Sequence, residues 1–344
     1  MYFTFQISTQ INMLEDMEYP DLTDDEGASS DSETEYAISI PYLDVQQVSG
    51  YSLLHTLHLT HVGLVEAPAS YPPNMVKLQL SGNRLTSFTT ALPVTTTDVD
   101  VSSNWLTTIP EGVLNPGLIV LKVGQNYLES LPTFPRALVE LYCGRNQLRT
   151  LPHLPNGLDR LYAFENKLTS LPCGLPGCLA YLFVSENYLT KLPIMPYGMI
   201  ELVADRNFLE SLPHPMPPTI TMLSVQDNKL TVLPPMWPAL KYLCCCRNLL
   251  TVLPQFPLDA QIIYISAISN RISRLSHYRP PHLIDLFLQE NSFVVVQEPR
   301  DHDATFWDVV VTETDKVDAW KVHAFCTLHG FNHPERFLKY ILST

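Results

Sequence analysis

One amide recurs through most of this chain. Asparagine stands at Asn83, Asn104, Asn126, Asn146, Asn166, Asn187, Asn207, Asn228, Asn248, Asn270 and Asn291, each 20 to 22 residues after the one before. Around each lies the phrase L-x-x-L-x-L-x-x-N-x-L-x-x-L-P-x-x-P, as in LVELYCGRNQLRTLPHLP, which ends at Pro155. A degenerate copy, LHTLHLTHVGL, puts Val62 where the asparagine belongs, 21 residues before Asn83, which makes twelve units. A period this regular leaves one option. Each unit is a single supersecondary turn that cannot bury its own apolar face and must stack on its neighbours.

The phrase specifies the turn position by position. The fifth and third residues before each asparagine are aliphatic or small, as in Leu141 and Cys143, Leu161 and Ala163, or Leu223 and Val225. That alternation is a short strand with one buried face. The asparagine ends the strand, and its amide satisfies backbone groups that the turn buries. Only about ten residues remain per unit for the way back. This is too few for a helix with its connections, and the Leu-Pro pairs (Leu131-Pro132 through Leu253-Pro254) disfavour one. The expected fold is an α/β-type repeat solenoid, mainly β. It is a leucine-rich repeat of about twelve units, with a parallel concave sheet and an extended, polyproline-like convex side. Twelve strands ~4.8 Å apart predict a curved rod roughly 55 to 60 Å along the sheet.

Repeats of about 20 residues carrying L-P-x-x-P-x-x-L resemble the bacterial LPX subtype of leucine-rich repeat. That subtype is known from YopM-type effectors and from the repeat domains of IpaH-type ubiquitin ligases. The resemblance covers about two thirds of the chain. It implies a non-enzymatic protein-binding scaffold: a pathogen effector that sequesters or bridges host signalling proteins through its concave face. A substrate adaptor recruiting a host ubiquitin ligase is the alternative. A ligase of the IpaH type is disfavoured. No Cys-x-Asp motif follows Asn291, where the one cysteine, Cys326, precedes Thr327 and Leu328. The helical hairpin that caps the N-terminus of those effectors is not evident either.

Boundaries follow from composition. Residues 1–36 are an acidic, largely disordered tail, 37–56 an N-terminal cap, 57–296 the solenoid, and 297–344 a C-terminal cap with one or two short helices. The first helix is expected from Thr312 to Leu328, with Val317, Trp320, Ala324 and Leu328 on one stripe. The formal charge is −14, yet residues 1–76 hold twelve Asp or Glu and no Lys or Arg, leaving 23 acidic against 21 basic residues beyond. No basic stripe offsets phosphate charge, so nucleic acid binding is not expected. Nor is a membrane span, because no stretch is long and apolar enough. Seven cysteines without a disulfide-framework spacing, and no secretory signal at the start, point to a reducing compartment. The expected location is cytoplasmic, and by resemblance the host cytoplasm. In the tail, Thr23, Ser30 and Ser32 each precede an acidic residue by three positions, the pattern of acid-directed phosphorylation. The same stretch also reads as a plain solvating tail.

Candidate site residues come from the outward columns. The column four before each asparagine carries Tyr142, Tyr162, Phe183 and Val203, and that two before carries Phe164 and Asp205. The column one before carries Arg145, Glu165, Glu186, Arg206, Asp227 and Arg247. An aromatic cluster beside a mixed-charge ladder has the make-up of an interface core and rim. It also suits rings that pack on one another across strands, beside ordinary ion pairs. The asparagine ladder itself is structural. Cys244, Cys245 and Cys246 suggest a metal site, but alternation sends Cys245 inward and the other two outward, so they cannot wrap one ion. Asp301, His302, Asp303 and Asp308 have no nucleophile or ligand spacing. No catalytic residue, cofactor or metal is expected, and the oligomeric state is open.

Overall fold

A computed structural model describes residues 51–235, 237–273 and 280–292. A 3-10 turn at Tyr51–Leu53 leads into twelve three-residue strands. These are β1 (Thr56–His58), β2 (Lys77–Gln79), β3 (Asp98–Asp100), β4 (Val120–Lys122), β5 (Glu140–Tyr142), β6 (Arg160–Tyr162), β7 (Tyr181–Phe183), β8 (Glu201–Val203), β9 (Met222–Ser224), β10 (Tyr242–Cys244), β11 (Tyr264–Ser266) and β12 (Asp285–Phe287). They form one parallel sheet in sequence order. This is a leucine-rich-repeat solenoid, with the twelve units that the asparagine spacing predicts. No α-helix occurs among the described residues.

Pairing is one unit to one unit in strict register: Glu140 faces Arg160, Leu141 faces Leu161 and Tyr142 faces Tyr162. The register follows from burial. The middle residue of every strand from β1 to β11 is buried, and a slip by one would turn that column to the outside. Behind the sheet, Leu85, Leu106, Leu128 and Leu148 make a second buried row, and the leucines of the Leu-Pro pairs a third. Each returning segment ends in a tight turn. The Pro135 carbonyl accepts from Leu138 N at 3.2 Å, and the Pro155 carbonyl from Leu158 N at 3.0 Å. Proline suits that first turn position, because only its carbonyl is needed there. Cys143 and Cys245 are small core residues, as expected, and burial pushes the Cys143 thiol up to about 12.

The asparagines hold the concave sheet to the next loop. Asn146 Nδ2 donates to the carbonyls of Val123, Cys143 and Gly144 at 3.0, 3.1 and 3.3 Å, while its Oδ1 accepts from Leu128 N at 3.0 Å. The same set recurs at Asn166, Asn187, Asn207 and Asn228. Even the degenerate first unit uses it, since Val62 N and Leu64 N both donate to Asn83 Oδ1. The residue before each asparagine lies in the left-handed region, from His61 (φ 55°) to Glu290 (φ 55°), with Gly82 (φ 69°) in the series. This turns the chain without a helix and sets every side chain of that column at the same angle.

The tail with Thr23, Ser30 and Ser32, residues 37–50 of the cap, and residues 297–344 lie outside the described residues. Leu53, grouped with the cap in the sequence, is exposed.

Candidate functional site

Because the middle residue of each strand from β1 to β11 is buried, both its neighbours in the strand face outward. The concave face therefore has a row that the sequence columns omitted, formed by the first strand residues Glu140, Arg160, Tyr181 and Glu201. Alternation alone would have found it.

In-register pairing stacks the expected aromatics. Tyr142 and Tyr162 lie with ring centroids 4.6 Å apart and planes 5° apart, and Tyr162 and Phe183 at 4.7 Å and 15°. These separations match the sheet's own strand spacing of ~4.8 Å. Lys122 Nζ sits 5.4 Å from the far face of the stack at Tyr142. The hydroxyls are tied to the omitted row. Tyr142 donates to Glu140 at 2.8 Å, and Arg160 bonds the Tyr162 side chain. Arg160 also lies 3.7 Å from Glu140 and 3.3 Å from Asp159, with its guanidinium over the Tyr181 ring at 4.4 Å. Burial, then the Glu140 bond, raises the Tyr142 phenol further above its ordinary range. Burial also raises the Glu201 carboxyl, against the pull of Arg160. The rings are half-buried and spend their faces on one another, so this row offers edges to a partner rather than an open greasy surface.

Phe164 belongs to the column two before the asparagine, and its ring lies over Gly144 of the preceding unit. A Cβ on Gly144 would stand 2.8 Å from that ring. Gly144→Ala is therefore expected to swing Phe164 off its seat at a cost of about 1 kcal/mol, the low end of overpacking, because only the far end of a rotatable ring must move. A thermal melt beside Phe164→Ser checks it. A loss above about 3 kcal/mol would mean the backbone moves instead.

The charged ladder is paired off. Arg145 meets Glu165 at 2.9 Å, Arg206 meets Glu186 at 2.8 Å and Arg247 meets Asp227 at 3.5 Å. Each pair is about one third exposed and contributes little to stability. What the pairs do set is a mixed-charge rim along one side of the stack.

Two expected surface residues are not on the surface. Val203 and Asp205 are buried, Asp205 at 1% exposure. Column position gives direction but not depth. From β8 to β11 the third strand residues, Val203, Ser224, Cys244 and Ser266, are short, and hydrogen bonds tie Ser224 and Ser266 to the column beyond them. Asp205 Oδ1 accepts from Ser224 Oγ at 2.7 Å and from Gln226 N at 2.8 Å, and Asp205 N donates to Ser185 Oγ at 3.1 Å. Its second oxygen, Oδ2, is buried without a partner. Burial raises this carboxyl to about 7 against those bonds, helped by Asp227 and opposed by Arg206. Cys244 and Cys246, expected to be outward, lie on the concave side but are buried, with Cys246 Sγ 2.9 Å from Ser266 Oγ. Burial raises all three thiols of the Cys244–Cys246 run, which makes them poor nucleophiles and poor metal ligands. Among the described residues no group of three His, Cys, Asp or Glu could hold a metal ion, and no helix is long and apolar enough to cross a membrane.

No family model and no curated protein sequence matches this chain. Solved structures do. YopM from Yersinia pestis, a leucine-rich effector protein, is similar at 29% identity and a TM-score of 0.62, over 73% of this chain and 76% of that one. YopM from Yersinia enterocolitica is similar at 28% identity and a TM-score of 0.52, over 71% of this chain and 66% of that one. A leucine-rich-repeat protein of Leptospira interrogans shares the fold at 24% identity and a TM-score of 0.55, over 67% and 64%.

Proposed function

We propose that this solenoid is a non-enzymatic scaffold that holds a protein partner on its concave face, and that it acts as a bacterial-type effector on a host signalling protein in the host cytoplasm. The supporting observation is the row Tyr142, Tyr162, Phe183, flanked by Phe164 and by the ladder from Arg145 to Arg247. Stacked rings are rigid before any partner arrives, so little ordering entropy opposes binding, and the paired charges beside them set register. The similarity to the YopM structures supports the effector reading. The mechanism is occupancy: the partner is sequestered, or held beside a second protein.

The test is capture from animal-cell cytosol with the wild-type chain and with a variant combining Tyr142→Ser, Tyr162→Ser, Phe164→Ser and Phe183→Ser. The variant should keep its far-ultraviolet circular dichroism and lose a retained protein by about tenfold or more, since aromatic anchors dominate interface energy. Equal retention of every protein by both would show that the stack only packs the sheet.

A further inference from the structure

A second face differs in kind from the concave one. From Arg84 to Arg271, the residue immediately after each asparagine precedes a buried leucine or isoleucine and points away from the core. Along this flank Trp105, Tyr127, Tyr188 and Phe208 are 49%, 51%, 52% and 41% exposed, more open than any ring of the concave stack. Between and beyond them come Arg84, Lys167, Lys229 and Arg271. Neighbouring units touch along it. Tyr188 stacks on Phe208 at 6.1 Å and 7°, Lys229 Nζ lies 5.1 Å over the Phe208 ring, and Lys167 Nζ donates to Gln147 Oε1 at 3.1 Å.

The charge state separates the two faces. Every arginine of the concave ladder meets a carboxylate. None of the four flank cations makes an ion pair among the described residues, and the column holds no acidic residue at all. Two residues further along each unit, Arg149 adds another cation against Glu129 and Glu210. In a chain of net charge −14, this leaves an aromatic ridge with uncompensated positive charge. Exposed rings interleaved with free cations fit an extended, acidic segment that also carries apolar side chains.

We propose that the ridge is the docking surface for this chain's own acidic segment, residues 14–36. The segment has ten Asp or Glu and no Lys or Arg, with Leu14, Met17, Tyr19, Leu22 and Tyr36 among them. Fourteen residues, and so fifteen Cα steps, separate Tyr36 from Tyr51, enough to span roughly 50 Å when extended. The ridge from Arg84 to Arg271 covers nine strand steps, about 43 Å at ~4.8 Å each. Tethering keeps the segment at high effective concentration, so modest contacts suffice. Phosphate on Thr23, Ser30 or Ser32 adds charge of the sign that the ridge attracts and tightens the contact. The single-stranded nucleic acid alternative shares the rings and cations but needs a denser run of positive charge than one cation in two or three units.

Carbodiimide cross-linking of the dilute full chain tests this, because it joins only a carboxylate and an amine already in contact. Links mapped by mass spectrometry are expected from residues 15–35 to Lys167 and Lys229. Raising salt from about 0.1 M to about 1 M shortens the Debye length from about 10 to about 3 Å and should suppress them. The variant Arg84→Glu, Arg271→Glu leaves both reporter lysines in place and should lower their yield roughly threefold or more. Links directed instead to Lys77 and Lys122, no links at all, or equal yield in the variant would overturn the proposal. So would links joining light and heavy isotope copies, which would place the segment on a second molecule. A fluorescent oligothymidylate that binds the full chain and displaces the links would assign the ridge to nucleic acid instead.

Discussion

Asn166→Asp is expected to destabilise the solenoid by about 4 kcal/mol or more at neutral pH, although it changes a single atom type. In the wild type, Nδ2 donates to the carbonyls of Cys143, Ala163 and Phe164 at 3.0, 3.2 and 3.2 Å, and Oδ1 accepts from Leu148 N at 3.0 Å. A carboxylate oxygen in place of the amide nitrogen would face three carbonyl oxygens with a buried charge. Asn166→Leu removes the charge but leaves those groups unpaired and should cost about 3 kcal/mol. Position along the row grades the effect. Asn291, half-buried near the end of the described solenoid, should tolerate the same leucine at about half the loss, because its donors reach water more easily. Urea unfolding followed by circular dichroism measures all three. If Asn166→Asp lies within about 1 kcal/mol of wild type, the ladder is decoration and the leucine rows alone hold the units together.

The ladder was legible in the sequence because one side chain serves four backbone groups, and only asparagine carries an amide on so short a stem; glutamine has the same donors and acceptor one methylene further out. The strand register was legible for a related reason: the column beginning Leu57, Leu78, Val99 must be buried, and it can be buried only one way. Other features were hidden. The outward row of Glu140, Arg160 and Tyr181 follows from the same alternation, but its chemistry is visible only when Tyr142 and Tyr162 bond to it. The column from Arg145 to Arg247 looked like a surface feature. Its left-handed backbone is a property of the turn that any side chain must accept there, which no residue preference announced. Val203 and Asp205 were placed on the correct side and at the wrong depth. A pattern of period two says which way a side chain points, while depth depends on the length of its neighbours. Here those neighbours are Ser185, Ser224 and Gln226. The ridge after the asparagines escaped because that position is an unconstrained x in the repeat phrase, so its aromatics and cations count only once the units are stacked in register.

Asp205→Asn is expected to abolish a pH dependence of stability that the wild type carries on one buried carboxyl. The group titrates at about 7 in the fold against an ordinary value of 3.8. Between those values the folded chain holds a proton that the unfolded chain has lost. Stability therefore falls as pH rises through that window, and the contribution is gone above it. A tenfold difference in proton affinity between the folded and unfolded chains is worth about 1.36 kcal/mol, so the full effect is on the order of 4 kcal/mol. Asparagine keeps the oxygen that Ser224 Oγ and Gln226 N donate to and never ionises. The two proteins should unfold at similar urea concentrations near pH 4, and the variant should be more stable by about 3 to 4 kcal/mol at pH 8. Glu201, also raised by burial, contributes a slope of the same sign to both, so the difference between them belongs to Asp205. Arg206 and Asp227 act on the carboxyl in opposite directions. Neither replaces the missing partner of Oδ2. Parallel pH profiles for the two proteins would mean that water reaches this oxygen in the fold, and that the floor of the concave face at β8 to β10 is open where the structure shows it closed.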